Sequence, residues 1–412
     1  MVNINDYIVS EETFLKAKIL THGIVFTQTA IQLAKEKKAK GQNLVYNMPL
    51  NTDAFRPQEL ILSSRSDGYR TVVSCVAANK CREPIVLDAS TNGRILVKSG
   101  DDIDFANMLD VEFVPEPTYY RKTLSNGECV SKYVSACGLD ELNIFPWKGC
   151  AISKPCLFCG TNFFVKEGDI SAKNMDAGFW EKNRDLYIYQ LCKSIEIAQN
   201  DACYSEHMHV ILIAGNLAND MLDLEADIFA EIAQNISPLI EKKSEEGLVL
   251  VITPPHDISK LRMLYNSGTR KIVFNMEAIQ PKYFKKYCPG KEDLGYEYII
   301  HRLKESVRVF GKGNVWSNLV YGLEPSKETI DRCGNMAEHG IVMGANVLHL
   351  DLGNRLDCGV PSIEHVIDFF FKLERINNYH GYTPYYCSLA LRTSLSNEAH
   401  DGRIKRKEEG CM

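Results

Sequence analysis

Three cysteines, Cys150, Cys156 and Cys159, stand in the stretch GCAISKPCLFCGTNFF (149–164), with five residues and then two between them. Thiolates bind zinc and iron–sulfur clusters; a structural zinc takes four ligands, and a four-iron cluster ordinarily takes four cysteines. Three thiols on one short loop leave one iron of such a cluster without a protein ligand, and a catalytic metal needs an open position of that kind. Gly149 and Gly160 bracket the loop and let backbone pack close to a bulky inorganic group. Two plainer readings stand beside this one. The three side chains could be buried small hydrophobes, or they could form a zinc site completed by a distant histidine such as His207.

The bulk of the chain narrows these choices. At 412 residues it exceeds one typical core, so two domains or one large barrel with an appendage are expected. Hydrophobic residues make up 45% and charged residues 24%, as in an ordinary globular protein. A net charge of −6 gives no electrostatic footprint for nucleic acid or an anionic membrane. No segment approaches the roughly 20 uninterrupted apolar residues of a membrane span. The opening MVNINDYIVSEETF lacks the basic-then-apolar pattern of a secretory signal, so a cytoplasmic location is expected. In that reducing setting the 14 cysteines read as buried small side chains with a few acting as ligands, not as a disulfide framework. Cys75 with Cys81, and Cys129 with Cys137, are looser pairs read as structural, and Cys333, Cys358, Cys387 and Cys411 lack the tight spacing of a second cluster.

The elements that must position the cysteine loop change character near residue 140. Before it, short β-prone runs such as TVVSCVA and VEFVPEPTYY follow a helical stretch over about residues 11–38, and Asn92-Gly93 between two such runs is a strong hairpin signal. After it, apolar strands alternate with amphipathic helices, the pattern of parallel βα units. The expected strands are LNIFPW (142–147), HVILIAG (209–215), LVLVIT (248–253), KIVFNME (271–277), WSNLVYGLE (316–324) and NVLHLDLG (346–353). Helices are expected over stretches such as EKNRDLYIYQLCKSIEIAQN, LEADIFAEIAQNISPLIEKK, YEYIIHRLKESVRVF and SIEHVIDFFFKLERINN. Six units occupy a stretch in which a full eight-unit barrel would take about 250 residues. The expected fold is therefore α/β: a partial (β/α)6 TIM-like barrel over 140–377, an N-terminal α+β domain over 1–139 that serves as a lid or in substrate recognition, and a closing C-terminal segment over 378–412. An open doubly wound sheet is the alternative arrangement. The tail RIKRKEEGCM is charged and predicted to fray. On the barrel reading the three thiols follow the first strand, at the carboxyl end where βα barrels carry their chemistry.

The loop, its place after the first strand and the strand pattern resemble those of the radical S-adenosylmethionine (radical SAM) superfamily, over roughly residues 140–390. Most members space their cysteines C-x3-C-x2-C; this chain has two more residues between the first pair, a C-x5-C-x2-C form that resembles a maturase-like enzyme of iron-guanylylpyridinol cofactor assembly. The resemblance implies a [4Fe-4S] cluster on Cys150, Cys156 and Cys159, with S-adenosyl-L-methionine on its open iron. It implies reductive cleavage to a 5′-deoxyadenosyl radical that abstracts hydrogen from a small-molecule substrate, in cofactor or natural-product biosynthesis, with a reductant such as flavodoxin or ferredoxin.

Residue by residue, the resemblance places Phe158, just before the third cysteine, near the adenine. Where the family carries Gly-Gly-Glu after the second strand, this chain has Ala214-Gly215-Asn216. Gly215 keeps the close backbone approach, and Asn216 puts a neutral carbonyl where a carboxylate would hold the methionyl ammonium. Asn275 and Glu277 alternate at the end of the fourth strand and fall where members contact the ribose or methionyl group. Gly322 and Glu324 match the Gly-x-Glu-like stretch after the fifth strand, beside the adenine. Further polar residues are expected to face the barrel mouth, as a substrate site: Asn162, His209, Asn318, Tyr321, His349, Asp351 and, late in the chain, Arg392. Two other classes remain: a metal- or cluster-holding scaffold or maturation protein without radical turnover, and a non-radical βα-barrel lyase or hydrolase using His349 and Asp351. The first is favoured by Asn216; the second lacks a lysine in the interior of any expected strand.

Overall fold

The computed structural model describes residues 2–41, 55–79, 81–100, 105–201, 208–240, 244, 246–350, 353–356, 359–383 and 391–407. The N-terminal part runs β1 (Val2–Ile4), β2 (Tyr7–Val9), α1 (Glu11–His22), β3 (Ile24–Phe26), α2 (Gln28–Glu36), β4 (Glu59–Ser64), β5 (Arg70–Ser74), β6 (Ile85–Ala89), β7 (Ile95–Lys98), α3 (Phe105–Met108) and β8 (Leu109–Phe113). Two three-stranded sheets form here, in the orders β3-β6-β7 and β5-β4-β8. The Asn92-Gly93 hairpin joins β6 to β7, with Gly93 at φ 76°, a left-handed conformation that glycine adopts without strain. The helical stretch expected over about 11–38 consists of two helices with the short strand β3 between them. Gly23, at φ 78°, ends α1, and a Cβ there would lie 2.1 Å from the Ala77 carbonyl oxygen; the next three residues leave the helix to pair in parallel with β6.

The chain continues through β9 (Val134–Cys137), β10 (Glu141–Ile144), α4 (Ala177–Ala198), β11 (His209–Ile213), α5 (Leu222–Ile240), β12 (Leu248–Val251), α6 (Ser259–Asn266), β13 (Thr269–Val273), α7 (Pro281–Tyr287), α8 (Pro289–Glu292), α9 (Tyr296–Phe310), β14 (Val315–Tyr321), α10 (Ser326–Glu338), β15 (Ile341–Val347), α11 (Ile363–Tyr379), α12 (Ser396–His400) and β16 (Ile404–Arg406). Strands β9 to β15 form one sheet whose spatial order follows the chain order, with β9 antiparallel to β10 and parallel pairing from β10 through β14. The order never reverses, so the sheet lacks the switch point of a doubly wound fold and has the sequential order of a βα barrel. It is a partial, TIM-like barrel sheet. Its strands are apolar because they are covered on both faces: Leu142, Ile144, Val210, Leu212, Leu250, Ile272 and Val315 are all fully buried.

Two strand ends differ from the sequence reading. The fourth parallel strand stops at Val273, so Asn275 and Glu277 follow it in the loop and do not alternate along it. The sixth spans Ile341–Val347, starting five residues before the expected position, because IVMGANV pairs as strand despite Gly344 and Asn346; His349 lies beyond its end.

Two compact units divide the chain. One contains Met1–Glu116, Val320–Asp331 and Ala345–Met412, the other Pro117–Leu319 and Arg332–Gly344. The boundary falls at 116/117, not at 139/140, since β9 pairs with β10 and belongs to the barrel sheet. The C-terminal segment belongs to the unit that contains the N-terminal part. Its tail does not fray over the described residues: β16 pairs with β2, and Arg403 bonds Glu12 and Asp67. At the centre of that unit Glu59 bonds Lys40 at 2.5 Å and Arg392 at 2.7 Å, its side chain fully buried.

Candidate functional site: the three-thiol loop

The loop leaves β10 at its carboxyl end and is fixed there by backbone and amide bonds. The Cys150 N–H donates to Asn162 Oδ1 at 2.6 Å, and the Ala151 N–H donates to the Asn216 carbonyl at 2.8 Å. Trp147 Nε1–H, from the stretch linking strand to loop, donates to the Gly215 carbonyl at 2.6 Å. The segment just past β11 therefore carries the cysteine loop. Only glycine fits at 215, since a Cβ would lie 2.0 Å from the Gly149 carbonyl oxygen and 3.1 Å from the Cys150 Cα. Gly149 itself is at φ 73°, with Val165 and Asn162 packed where its side chain would be.

A second wall comes from the segment joining α7 to α8. The Leu157 N–H donates to the Tyr287 carbonyl at 2.9 Å, and the next residue, Cys288, hydrogen-bonds through its thiol to that of Cys156. A Cβ at Gly290 would lie 2.4 Å from the Lys154 carbonyl oxygen, so this segment too approaches the loop backbone to backbone. Lys291 Nζ donates to the Asn275 carbonyl at 2.7 Å and to Glu277 Oε1 at 2.8 Å. Glu277 is held at φ 65°, a left-handed conformation unusual for a residue with a side chain.

Charge is concentrated at this point. Burial pushes the Cys159 thiol up to about 12 and raises that of Cys150. The Cys156 thiol is lowered, first by its bond to Cys288 and then, against its own burial, by the ammonium of Lys291. Burial opposes the charge of Lys291, yet Glu277 and the thiols of Cys156 and Cys288 hold its proton more tightly than usual. Nearby, buried Glu225 of α5 accepts from the Leu217 N–H at 2.7 Å and the Thr253 N–H at 3.2 Å, joining the loops after β11 and β12; burial raises its carboxyl to about 7.

The donor set suits a cluster. The three thiols of the loop act on one another electrostatically, a buried cation stands by to offset negative charge, and three glycines thin the surrounding walls. Among the described residues no three His, Cys, Asp or Glu side chains converge as ligands of one metal ion would. Thiolates on separate irons of a polynuclear cluster need not converge in that way.

The structure thus brings together Cys150, Cys156, Cys159, Asn162, Gly215, Asn216, Asn275 and Glu277, with Phe158 half-buried in the turn between two of the thiols. Asn162 shapes the loop by accepting from Cys150, and Asn275 Oδ1 accepts from the backbone N–H of Asn318 at 3.1 Å. His209 is not at this end of the sheet. It opens β11 opposite Glu141, three residues before the register reaches Ile144 and Leu212, and so lies at the amino end of its strand.

The remaining expected residues belong to the other compact unit. Gly322, at φ 120°, packs against Pro361 and Leu348, and Glu324 is buried. Tyr321 stacks on Phe369 at 3.9 Å and donates to the His365 carbonyl. His349 Nδ1 lies 2.8 Å from the Val347 carbonyl. Arg392 is committed to Glu59 inside its unit, a structural role where a substrate contact was expected. Asp351, Cys358, Cys387, Cys411 and His207 lie outside the described residues.

Cys288, Lys291 and Glu225 had no place in the sequence reading. The signal for the first two was the short run YCPGK, a cysteine and a lysine flanking a Pro-Gly turn shortly after Asn275 and Glu277.

A three-thiol loop at the carboxyl end of the first parallel strand of a sequential βα sheet is the arrangement that the resemblance to the radical SAM enzymes implies. In sequence it is 26% identical over 372 residues to a bacteriochlorophyllide c C-7(1)-hydroxylase of Chlorobaculum limnaeum, spanning 85% of this chain and 87% of that protein. No family model matches the chain. Among solved structures it is similar to a maturase of the [FeFe]-hydrogenase (TM-score 0.42, 13% identity, 64% of this chain), and it spans about half, 53%, of that chain. It is also similar to a radical SAM methyltransferase from Sphaerobacter thermophilus (TM-score 0.41, 13% identity, 65% of this chain and 75% of that one). A third is the coproporphyrinogen III oxidase of Escherichia coli, also a radical SAM enzyme (TM-score 0.37, 14% identity, 66% of this chain and 60% of that one). Among the described residues no helix is long and apolar enough to cross a membrane.

Proposed function

We propose that this chain holds a [4Fe-4S] cluster on Cys150, Cys156 and Cys159, binds S-adenosyl-L-methionine and removes a hydrogen atom from a carbon of a small organic molecule. The seating of the loop supports this reading above all: Gly149 and Cys150 are pressed against Gly215, where the superfamily it resembles carries its methionyl-binding segment. When bound, the two cofactors supply one-electron cleavage of a sulfonium and a 5′-deoxyadenosyl radical that takes the hydrogen.

The chain's own residues hold and orient. Three thiolates carry the cluster, Lys291 offsets their charge, and Phe158, Gly215, Asn216, Asn275, Glu277, Gly322 and Glu324 serve the S-adenosyl-L-methionine. Buried walls keep water from the reacting centre, which matters for any radical intermediate. His349 and Asp351 remain for the substrate, and the unit containing the N-terminal part is assigned its recognition. Similarity to a hydroxylase acting on bacteriochlorophyllide c favours a substrate from cofactor biosynthesis. The electron comes from a reductant of the flavodoxin or ferredoxin kind.

A second reading, a cluster-holding scaffold without turnover, is favoured by Asn216, whose carbonyl replaces the carboxylate that would hold an ammonium group. Anaerobic reconstitution with iron and sulfide, followed by metal and sulfide analysis and electron paramagnetic resonance after dithionite, tests the proposal. About four irons and as many sulfides per chain are expected, lost in Cys150→Ala, Cys156→Ala and Cys159→Ala. The signal of the reduced cluster should shift when S-adenosyl-L-methionine is added. Zinc without sulfide contradicts the cluster; a cluster signal indifferent to S-adenosyl-L-methionine favours the scaffold.

A further inference from the structure

Cys288 is the fourth thiol of this region and has no part in the site as read so far. Its sulfur, fully buried, bonds the sulfur of Cys156, which is 7% exposed. The two backbones are joined one residue further on, Leu157 N–H to Tyr287 carbonyl at 2.9 Å, and Gly290 packs against the Lys154 carbonyl. The two segments are thus pinned on both sides of the sulfur pair. A disulfide needs two Cα atoms brought close with their side chains turned toward each other, and the sulfur–sulfur hydrogen bond flanked by the Leu157–Tyr287 backbone bond draws the two segments together at this pair.

We propose that Cys288 is a resolving thiol for Cys156: in the cluster-free chain the two form a disulfide, which withdraws the middle ligand of the loop until it is reduced. The oxidant is a small-molecule disulfide. Cys156 thiolate attacks it and expels one thiolate; the sulfur of Cys288 then attacks Cys156 and expels the second. Two protein thiols lose two electrons and two protons, one S–S bond forms, and the oxidant leaves as two thiols. With a cluster in place Cys156 is committed to iron and the reaction is closed.

The consequence for the cluster rests on the reading of Cys156 as its ligand, whereas the bridge itself is a property of the metal-free chain. The full-length apoprotein is treated with oxidised glutathione under argon, its free thiols are alkylated, and it is digested with trypsin without reduction. The peptide carrying Cys150, Cys156 and Cys159 is expected to be joined to the peptide carrying Cys288, with fragment ions assigning the bond to Cys156. In Cys288→Ser the joined species disappears and glutathione remains on Cys156. A bond from Cys156 to Cys150 or Cys159, or Cys288 recovered alkylated while Cys156 carries glutathione in the wild type, overturns the proposal. The map needs no iron and no turnover, so its failure is distinct from failure of the radical SAM reading.

Discussion

Gly215 and Gly149 meet so closely that a Cβ on Gly215 would lie 2.0 Å from the Gly149 carbonyl oxygen. The atom in the way is backbone, and it belongs to the residue before the first cysteine. No rotamer change relieves the overlap, so Gly215→Ala must shift the cysteine loop or the end of β11. Overpacking of this kind costs about 1–3 kcal/mol. The expected result is a lower thermal midpoint together with a fall in iron bound after reconstitution. Unchanged iron content at lowered stability would detach the glycine contact from the cluster site.

Asn162 accepts from the Cys150 N–H at 2.6 Å, which fixes the first turn of the loop. Replacing it by Leu leaves that partly buried donor without its partner, at a cost of about 1–3 kcal/mol. Asn162→Asp retains an acceptor and is expected to recover most of the iron binding that Asn162→Leu loses. Iron and sulfide analysis of the two reconstituted variants checks this.

Glu225 provides a pH dependence with a definite sign. Its carboxyl is raised by burial from an ordinary 4.5 to about 7 in the folded chain. Between those values the folded state holds a proton that the unfolded state has released, so stability falls as pH rises through this window. The contribution is fully present below the unfolded value, is lost by the time the folded group ionises, and is on the order of 3 kcal/mol. Urea midpoints measured from pH 4 to pH 8 should show the decline in the wild type. Glu225→Gln should flatten it, and should also lower stability throughout, because its amide nitrogen faces a backbone N–H.

Arg392 and Lys40 both bond the fully buried Glu59. Removing one partner of a buried ion pair costs about 3–5 kcal/mol. With Lys40 still in place, Arg392→Met is expected at or below the lower end of that range. Glu59→Gln, which strands two buried cations, is expected to be worse. Chemical denaturation ranks the two. A normal Arg392→Met fold with a selective loss of substrate affinity would restore this arginine to the substrate site.

The parallel strands were legible because burial on both faces leaves a plain apolar run, as in LVLV and HVILI, and the turn at Asn92-Gly93 because its backbone demands glycine. The cysteine loop was legible because thiol spacing is itself chemistry. Strand ends were harder to read. The alternation in NVLHLDLG imitates a strand, yet the pairing uses IVMGANV, and His349 falls past the last strand residue. His209 is polar and sits in a barrel strand, but chemistry at a barrel mouth requires the carboxyl end, and its place in the register puts it at the other. Arg392 looks like a binding residue until its partner Glu59, far away in sequence, is known. Cys288 and Lys291 reach the site through contacts between segments, such as Leu157 with Tyr287 and Gly290 with Lys154, that local pattern cannot reveal.

On the proposed function, the loop at Cys150, Cys156 and Cys159 generates a radical from S-adenosyl-L-methionine. The most direct measurement is the 5′-deoxyadenosine formed when the anaerobically reconstituted full chain is given dithionite and S-adenosyl-L-methionine, with Cys156→Ala in parallel. The wild type is expected to form 5′-deoxyadenosine and the variant none above background. A wild type that carries its cluster and forms no 5′-deoxyadenosine, or a Cys156→Ala chain that forms as much as the wild type, would contradict the proposed function.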